Sequence, residues 1–480
     1  MAIYNYITQG QLIQEVANRL YDPTMTFWTS DEIYRYFKEA LRTWNALTGY
    51  WRGDFTFQSK PGVTWYDLTD TVAMPNTLRP ISSTGPALDA NLYVLMQYHL
   101  LEPPLGINPW PSGSPSNTGS LQFTSDDFLN AVQRRRDEIL SITSCTLTRR
   151  TIPAVAGRIT LPDTVIDVRR LAYLPAAFQA GGYGVGAYGM GPYGYSAYNL
   201  SPASVVWPED TWAEQAFNNR YTLAPAGTPL AYLLSTQPPI SFDVDTPPGG
   251  AGTYELLTVE AGPALSITTP SLLSIPDDWA YLIKWGALAD LLSRESLAKD
   301  IPRAAYCEQQ YRLGLAVMLQ APALLAMRID NVPLQIDSVR SADLYNTSWQ
   351  GQAQQKPRTA LHAGLNLIAL APAPDLIYSM TATVVQNAPV PVAASDPVQV
   401  SRDDLDVIID YTQHLAAFKQ GGDEFARTMP LMQRFLKQAA YYNGKLAELG
   451  EYTSMLLDQS QRERDTNPLA TPSAEQEVTS

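Results

Sequence analysis

Trp28-Thr29-Ser30-Asp31-Glu32-Ile33 and Phe123-Thr124-Ser125-Asp126-Asp127-Phe128 are the two stretches that decide the fold. In each, an aromatic residue precedes a threonine cap, and an acidic residue follows the threonine three positions later. Such a pair satisfies exposed backbone N–H groups at the start of a helix. The helix after each cap keeps its apolar positions at the same offset, so that Trp44 aligns with Ile139. The sequence therefore predicts one helical unit that recurs after about 95 residues.

The elements around the first stretch complete a unit. Apolar residues of positions 8–20 fall on one face of a helix, and Thr8-x-x-Gln11 predicts a capping box at its start. The second helix ends at Gly49, a residue that favours the left-handed conformation found at helix ends. Segments 54–58 and 63–68 have the pattern of strands, and the Lys60-Pro61-Gly62 turn between them indicates a hairpin. The unit is therefore a helix, a helix and a hairpin.

The second stretch has similar neighbours. A helix predicted over 92–101 precedes it, and strands follow over 145–152 and 157–161. Arg135-Arg136 stands where the first copy has Ala40-Leu41. We therefore expect the second helix to bury a narrower apolar stripe.

A further duplication occurs downstream, at an offset of about 127 residues. Ser274-Ile275-Pro276-Asp277 corresponds to Ser401-Arg402-Asp403-Asp404, and each is a predicted N-cap that opens a helix. Another long helix follows each one, near 302–320 and 425–449, and strand-like segments precede them, at 240–244, 254–259, 367–370 and 377–385. These repeats predict an α+β fold in an elongated multi-domain chain, built from duplicated helix pairs and β-hairpin or β-sheet units.

The repeats divide the chain into six predicted segments. They are a helix-helix-hairpin unit over 1–90, its second copy over 91–180, a flexible Gly/Tyr-rich loop over 181–204, a strand-rich segment with a helix pair over 205–330, a second copy of that segment over 331–460, and a tail over 461–480. The tail is polar without periodicity, which predicts disorder.

The composition limits the chemistry of this chain. Its 480 residues include 33 Lys and Arg, 47 Asp and Glu, 3 His and 2 Cys, and its net charge is −14. An acidic chain does not wrap nucleic acid by neutralising phosphates. So few His and Cys residues disfavour metal centres, disulfide frameworks and most catalytic arrangements. We therefore predict no catalytic residues, no metal and no cofactor, and the sequence shows neither a signal-peptide pattern nor an apolar run that would span a membrane.

Four acidic pairs have the composition of general acid–base or cation-binding sites: Asp31-Glu32, Asp126-Asp127, Asp277-Asp278 and Asp403-Asp404. Each lies in the first turn of a predicted helix, where carboxylates favour the exposed N–H groups and the positive end of the helix dipole. We therefore interpret them as capping residues. The histidines His99, His362 and His414 have no partner at metal-ligand spacing, and we interpret them as packed structural residues.

The glycine-rich segment 181–198 has an unusual composition. Gly184-x-Gly186-x-x-Gly189 matches a dinucleotide-binding fingerprint, but no predicted helix follows it to meet a pyrophosphate. Amphipathic tyrosine rings recur every five residues on this pliable backbone, at Tyr183, Tyr188, Tyr193 and Tyr198. The segment is either a loop of no consequence or a loop that orders against a neighbouring subunit, a partner ring or a channel lumen, and we favour the second interpretation.

Arg134-Arg135-Arg136 is the densest basic run. Three successive helical residues span too wide an arc to face a single phosphate-bearing partner. We therefore predict that this run forms a solvated face or makes salt bridges between subunits.

The order of these motifs resembles that of the head-to-tail adaptor proteins, also called connector or neck proteins, of tailed bacteriophages. The resemblance is clearest over about residues 8–90 and 205–320. The stretches that carry it are the cap and helix from Thr29 to Leu41 with the Phe-rich segment after it, the strand-rich Trp207–Leu234, and Ile275-Pro276-Asp277-Asp278-Trp279 with the two helices that follow. This chain is longer than the simplest adaptors and is internally duplicated.

The resemblance implies a structural virion protein and not an enzyme. Such proteins form a homo-oligomeric ring, commonly of twelve subunits, which docks beneath the portal protein and connects the DNA-filled capsid to a tail or nozzle protein. Genomic DNA would pass through the ring during ejection without sequence-specific binding, and an acidic wall would repel its phosphates. The protein would be made in the cytoplasm of a host bacterium and would lie at the head–tail junction of the virion, away from membranes.

Other functions stay open at this point. One alternative is another virion component, such as a tail nozzle or tail tubular protein or a capsid-surface protein. A more remote alternative is a virion-associated hydrolase, which would need two carboxylates from different elements to converge on a cleft.

Overall fold

The computed structural model describes residues 6–67, 87–100, 123–175, 204–209, 226–235, 237, 239–249, 251–262, 265, 274–295, 299–321, 324–346 and 349–443. The chain forms two compact units. One comprises Met1–Gly49 with Pro389–Ser480, and the other comprises Tyr50–Ala388. Within the described ranges, no helix combines the length and the apolar character needed to cross a membrane.

Helices and strands alternate in groups along the chain. The helices are α1 (Gln9–Arg19), α2 (Ser30–Thr48), α3 (Ala87–His99), α4 (Ser125–Thr143), α5 (Ala280–Ser293), α6 (Ile301–Gln320), α7 (Val339–Tyr345), α8 (Arg402–Ala417), α9 (Gly422–Arg427) and α10 (Met429–Tyr442). The strands are β1 (Arg52–Gln58), β2 (Trp65–Asp67), β3 (Thr148–Pro153), β4 (Ile159–Thr160), β5 (Val165–Pro175), β6 (Ser204–Glu209), β7 (Ala231–Ser235), β8 (Ser241–Val244), β9 (Gly252–Glu260), β10 (Leu324–Ile329), β11 (Val332–Pro333), β12 (Gln335–Ser338), β13 (Thr359–Ala363), β14 (Leu367–Ala371) and β15 (Ser379–Val385). The predicted α+β, multi-domain class is confirmed.

The first unit is helical. Its central helix α8 packs against α1, α2 and α10. Thr8 forms a complete capping box with Gln11, Thr29 accepts a hydrogen bond from the Glu32 N–H, and Gly49 ends α2 in the left-handed conformation. The sequence patterns therefore located the starts of both helices and the end of α2 correctly. The Glu32 carboxylate, however, binds Tyr36 and Lys419 and does not complete the second capping box.

The second unit contains a comparable helical group, in which the central helix α5 packs against α3, α4 and α6. Thr124 caps α4 with a complete capping box, and Ser144 ends it in the left-handed conformation. The predicted cap at Ser274 is wrong, because a 3₁₀ turn over Asp277–Trp279 precedes α5 and no side-chain cap is present there.

Three sheets lie in the second unit. The first has seven strands, in the order β3-β9-β5-β6-β7-β8-β4. Leu171, Phe242 and Leu256 lie in its core. The other two have four strands each, in the orders β1-β15-β10-β11 and β12-β13-β14-β2, and they share a core that contains Met327, Ile368 and Ala382.

The strands predicted over 54–58 and 63–68 exist, but they do not form the hairpin that we expected. Instead β1 pairs with β15, and β2 pairs with β14. Both partners come from residues more than 300 positions away in the chain. Local turn chemistry indicated the strands, whereas the sheet core selected their partners.

The seven-stranded sheet and the pair of four-stranded sheets have equivalent strand orders, with β11 as an additional strand of the pair. The last strand before each later helix group lies between two earlier strands, since β9 pairs with β3 and β5, and β15 pairs with β1 and β10. Likewise β8 pairs with β4, and β14 pairs with β2. The parallel pairs among the described strands, β6 with β7 and β12 with β13, are also equivalent.

The equivalence extends to individual residues. A register shift opposite β9 lies between Val168 and Arg170, and one opposite β15 lies between Leu324 and Ala326. After the shift, Leu171 pairs with Leu256 as Met327 pairs with Ala382, and all four side chains are in the cores. A shared irregularity at an equivalent position indicates one fold in two copies.

We name the copies by their order in the chain. The inner module comprises α3, α4, β3–β9, α5 and α6. The outer module comprises α1, α2, β1, β2, β10–β15 and α7–α10. The inner module interrupts the outer one between β2 and β10. The six-segment division of the sequence stays a prediction, and both its loop up to residue 203 and its tail lie outside the described residues.

Candidate interaction site

The tyrosines predicted to form a contact loop, Tyr183, Tyr188, Tyr193 and Tyr198, lie outside the residues that the structure describes. The glycine fingerprint in the same segment also lies outside them. The site described below was not predicted from the sequence.

Three of the four acidic pairs occupy first helical turns, as predicted. Asp31 and Glu32 lie in α2, Asp126 and Asp127 in α4, and Asp403 and Asp404 in α8. Their carboxylates have protein partners. Asp127 completes the capping box of α4, and Asp404 accepts hydrogen bonds from the Ser401 and Tyr442 hydroxyls.

The fourth pair lies in the 3₁₀ turn before α5. Asp278 is buried, and its carboxylate accepts a hydrogen bond from the Ala388 N–H. It therefore anchors a backbone segment of its own unit, and this contact fits a structural role.

The three histidines take different positions. His99 is fully buried with its Nε2 3.1 Å from Lys284 Nζ, and its ring stacks on Trp285. His414 is fully buried on α8 with Nδ1 2.8 Å from the Thr428 hydroxyl. Burial lowers the pKa of His414 to about 3, so it is neutral at pH 7. His362 lies half-buried in β13.

The arginine run is the solvated face that we predicted only at Arg134, whose side chain is 71% exposed. Arg135 and Arg136 are buried, at 7% and 0% exposure. Arg135 makes ion pairs with Asp290 on α5 and Glu308 on α6. The two arginines therefore continue the buried stripe of α4. Asp290 and Glu308 on neighbouring helices compensate the charge of Arg135, and Asp137 on α4 itself pairs with Arg136.

A polar cluster lies where the inner module meets the outer module, and we call it the docking cluster. The inner module contributes Arg149, Arg170 and Glu255, from β3, β5 and β9. The outer module contributes residues of β2, of α7 and of the 3₁₀ turn Trp349–Gly351, namely Trp65, Asp343, Trp349 and Gln350. Glu255 is 1% exposed, which is rare for a carboxylate and requires compensation.

Glu255 is the acceptor at one end of the docking cluster. Its Oε1 accepts hydrogen bonds from Trp65 Nε1 at 2.9 Å and Gln350 Nε2 at 2.6 Å, and its Oε2 accepts one from Arg149 Nε at 2.8 Å. Arg170 Nη1 also lies 3.3 Å from Glu255 Oε1. Four donors thus surround this one buried carboxylate.

Asp343 is the acceptor at the other end. Arg170 donates to both of its oxygens, from Nε at 2.7 Å and from Nη2 at 3.0 Å. Trp349 Nε1 donates to the same carboxylate at 2.8 Å, and the Trp349 ring faces the guanidinium at 5.5 Å. The bidentate geometry and the two opposite charge pairs make the docking cluster electrically balanced.

A tight turn extends this contact. The β13–β14 turn of the outer module meets the segment that follows α4 in the inner module. The Leu365 N–H donates to the Cys145 carbonyl at 2.7 Å. The Asn366 side chain accepts from the Leu147 N–H and donates to the Leu147 carbonyl, both at 2.9 Å. Gly364 has φ of +60°, and a Cβ there would lie 2.8 Å from the Ser144 carbonyl oxygen.

The docking cluster has the chemistry of an interface. Both carboxylates are held by guanidinium and N–H donors, so neither resembles a general acid or base. Within the described residues, no group of three or more His, Cys, Asp or Glu side chains has metal-binding geometry. Cys145 and Cys307 are buried, and burial raises the pKa of both thiols, which disfavours the reactive thiolate.

A sequence signal for the docking cluster existed but was weak. Glu255 interrupts the apolar run of β9, and Arg170 interrupts that of β5. A charged residue within a buried strand indicates a compensating partner. The partners Trp65 and Asp343 are far away in the chain, so the sequence pattern alone could not pair them.

Residues 114–333 match the family model described as SU10 adaptor protein. The match runs from before α4 through α5 and α6 to β11, and so covers most of the inner module and less than half of the chain. No curated protein matches the chain. The family match supports a phage adaptor-like protein, and that family is a structural adaptor family and not an enzyme family.

Proposed function

We propose that this protein is the head-to-tail adaptor of a tailed bacteriophage. It docks beneath the portal protein as a homo-oligomeric ring, joins the DNA-filled capsid to the tail or nozzle protein, and lines the channel through which the genome is ejected. The observation that carries the proposal is the adaptor-family match over residues 114–333.

The chemistry of the described residues supports a role in binding. The buried carboxylates of the docking cluster have guanidinium and N–H partners, as a permanent interface requires. The net charge of −14 supports passage of DNA without adhesion, because a negatively charged wall repels phosphates. For Tyr183, Tyr188, Tyr193 and Tyr198, the proposal keeps the role of a contact element toward a partner.

Co-expression with the portal protein of the same phage tests this function. We expect the chain to co-purify with portal rings, and native mass spectrometry to show a fixed number of chains per ring. A capsid protein co-expressed in place of the portal is the control and should not retain the chain. A chain that never binds the portal, at any salt concentration that keeps both proteins soluble, contradicts the proposed function.

A further inference from the structure

One sheet face is covered in the inner module and open in the outer module. In the inner module its central positions on β5 and β9 are Arg170, Ala172, Glu255 and Leu257. All four are buried. They lie under the docking cluster, which the outer module completes with residues of β2, α7 and the 3₁₀ turn.

Strand pairing identifies the equivalent positions in the outer module. Leu257 pairs with Arg149 and Arg170 as Thr383 pairs with Asp54 and Ala326. Glu255 pairs with Thr151 and Ala172 as Thr381 pairs with Thr56 and Arg328. We call the outer-module set the open face; it comprises Asp54, Thr56, Ala326, Arg328, Thr381 and Thr383.

The open face is accessible and polar. Asp54, Thr56 and Arg328 are exposed, and Thr381 and Thr383 are partly exposed. The same face of the same fold is thus buried in one module and accessible in the other. An interface that uses different surfaces on its two sides can repeat from copy to copy, because each copy keeps one side free.

The outer-module surface that covers the inner module has an equivalent surface on the inner module itself. Trp65 on β2 pairs with Ala369 on β14. At the equivalent place in the inner module, Arg158 lies next to β4 and forms an ion pair with Asp243 on β8. The β12–β13 connection corresponds in strand order to the β6–β7 connection, of which residues 226–230 lie within the described ranges. The Arg158 side chain is 63% exposed and Leu230 is 62% exposed. An exposed guanidinium here complements the Asp54 carboxylate of the open face.

We propose that the open face binds the inner module of a second copy of this chain, through the surface that carries Arg158 and Leu230. The contact between chains uses the sheet face equivalent to the one under the docking cluster, with Asp54 opposite Arg158 in place of the docking cluster's own charge pairs. This proposal rests on the adaptor function and deepens it, since a ring built in this way contains twice as many modules as chains.

Two blocking variants test the proposal. Thr381→Lys places a second cation beside Arg328 on the open face, opposite the incoming Arg158. Leu230→Asp replaces the exposed leucine on the other surface. Both positions are accessible, so thermal unfolding should remain close to native. Matched controls are Gln320→Lys and Leu319→Asp, at two exposed positions in the last turn of α6, which belongs to neither surface.

Mass photometry of the full-length chain, alone and with portal, gives the readout. We expect the native chain and both controls to form oligomers, and each blocking variant to lose at least tenfold in self-association. Mixing the two blocking variants leaves one intact surface of each kind, so dimers of one chain of each variant should form and larger species should not.

Three results overturn the proposal: native-like oligomers from both blocking variants, mixtures that form no dimers, or a native chain that stays monomeric alone and with portal. A monomeric chain that still binds the portal would retain the proposed function and remove this interface. Oligomers that depend on the two surfaces but never bind portal would retain the interface and remove the function.

Discussion

The inner and outer modules have the same strand order, the same register shift and equivalent helix groups, but they differ in what compensates their polar residues. The inner module buries Arg170 and Glu255 on its sheet and Arg135 on α4. The outer module has Ala326, Thr381 and Ala40 at the equivalent positions. The comparison shows that one backbone plan buries charged residues where oppositely charged partners lie beside them, and has uncharged residues at the equivalent positions of the other module.

Removing the central arginine of the docking cluster should give the largest effect. Arg170→Met leaves Glu255 and Asp343 short of their shared cation, and breaking a buried ion pair costs about 3–5 kcal/mol. Urea unfolding followed by tryptophan fluorescence measures the loss. Arg328→Met, on the equivalent strand of the open face, is the control and should change the free energy of unfolding by less than about 0.5 kcal/mol. Equal losses would contradict the difference between the faces.

Low pH should affect the two central helices differently. His414 on α8 can be protonated, whereas Ala287, which aligns with it on α5 at the offset of the repeat, cannot. Burial lowers the pKa of His414 from 6.5 to about 3. The folded state therefore binds fewer protons than the unfolded state below pH 6.5, and this contribution to stability falls as the pH falls toward 3. By pH 4 the loss amounts to roughly 3 kcal/mol.

His414→Gln removes this titration and keeps a hydrogen-bonding side chain beside Thr428. We expect the unfolding free energy of the variant to fall less steeply than that of the native chain between pH 6.5 and pH 4. Denaturant unfolding at a series of pH values measures both slopes. Identical slopes would show that His414 does not titrate as its burial requires.

The turn between the modules should give a smaller effect. Asn366→Ala leaves the buried N–H and carbonyl of Leu147 without their partner, at a cost of about 2 kcal/mol. Gln237→Ala, in the β7–β8 turn of the inner module, is the matched control because Gln237 is exposed. If the two substitutions have the same effect on the unfolding midpoint, the turn contact adds no stability.

The helix caps should give the smallest and most similar effects. Thr29→Ala and Thr124→Ala each remove the cap of equivalent helices, and each should cost about 1 kcal/mol. Thermal unfolding measures both. A difference of more than about twofold between them would indicate that the two helices are not equivalent elements.

Local patterns in the sequence predicted local structure well. The cap at Thr8, the cap at Thr124 and the stop at Gly49 are each decided by a few neighbouring residues, and all were located correctly. The β1–β2 hairpin was wrong, and the solvated Arg134–Arg136 face was correct only for Arg134, because strand partners and ion-pair partners depend on residues far away in the chain. Trp65 and Glu255 illustrate the limit, since 190 positions separate the donor from its acceptor.

Electron cryomicroscopy of the purified phage particle tests the central claim most directly, namely that each chain contributes two modules of one fold to an adaptor at the head–tail junction. We predict density for this chain directly beneath the portal, with a seven-stranded inner module and an eight-stranded outer module in every chain and the docking cluster between them. Density for the chain on the capsid surface or in the distal tail, with none at the portal, would contradict the account.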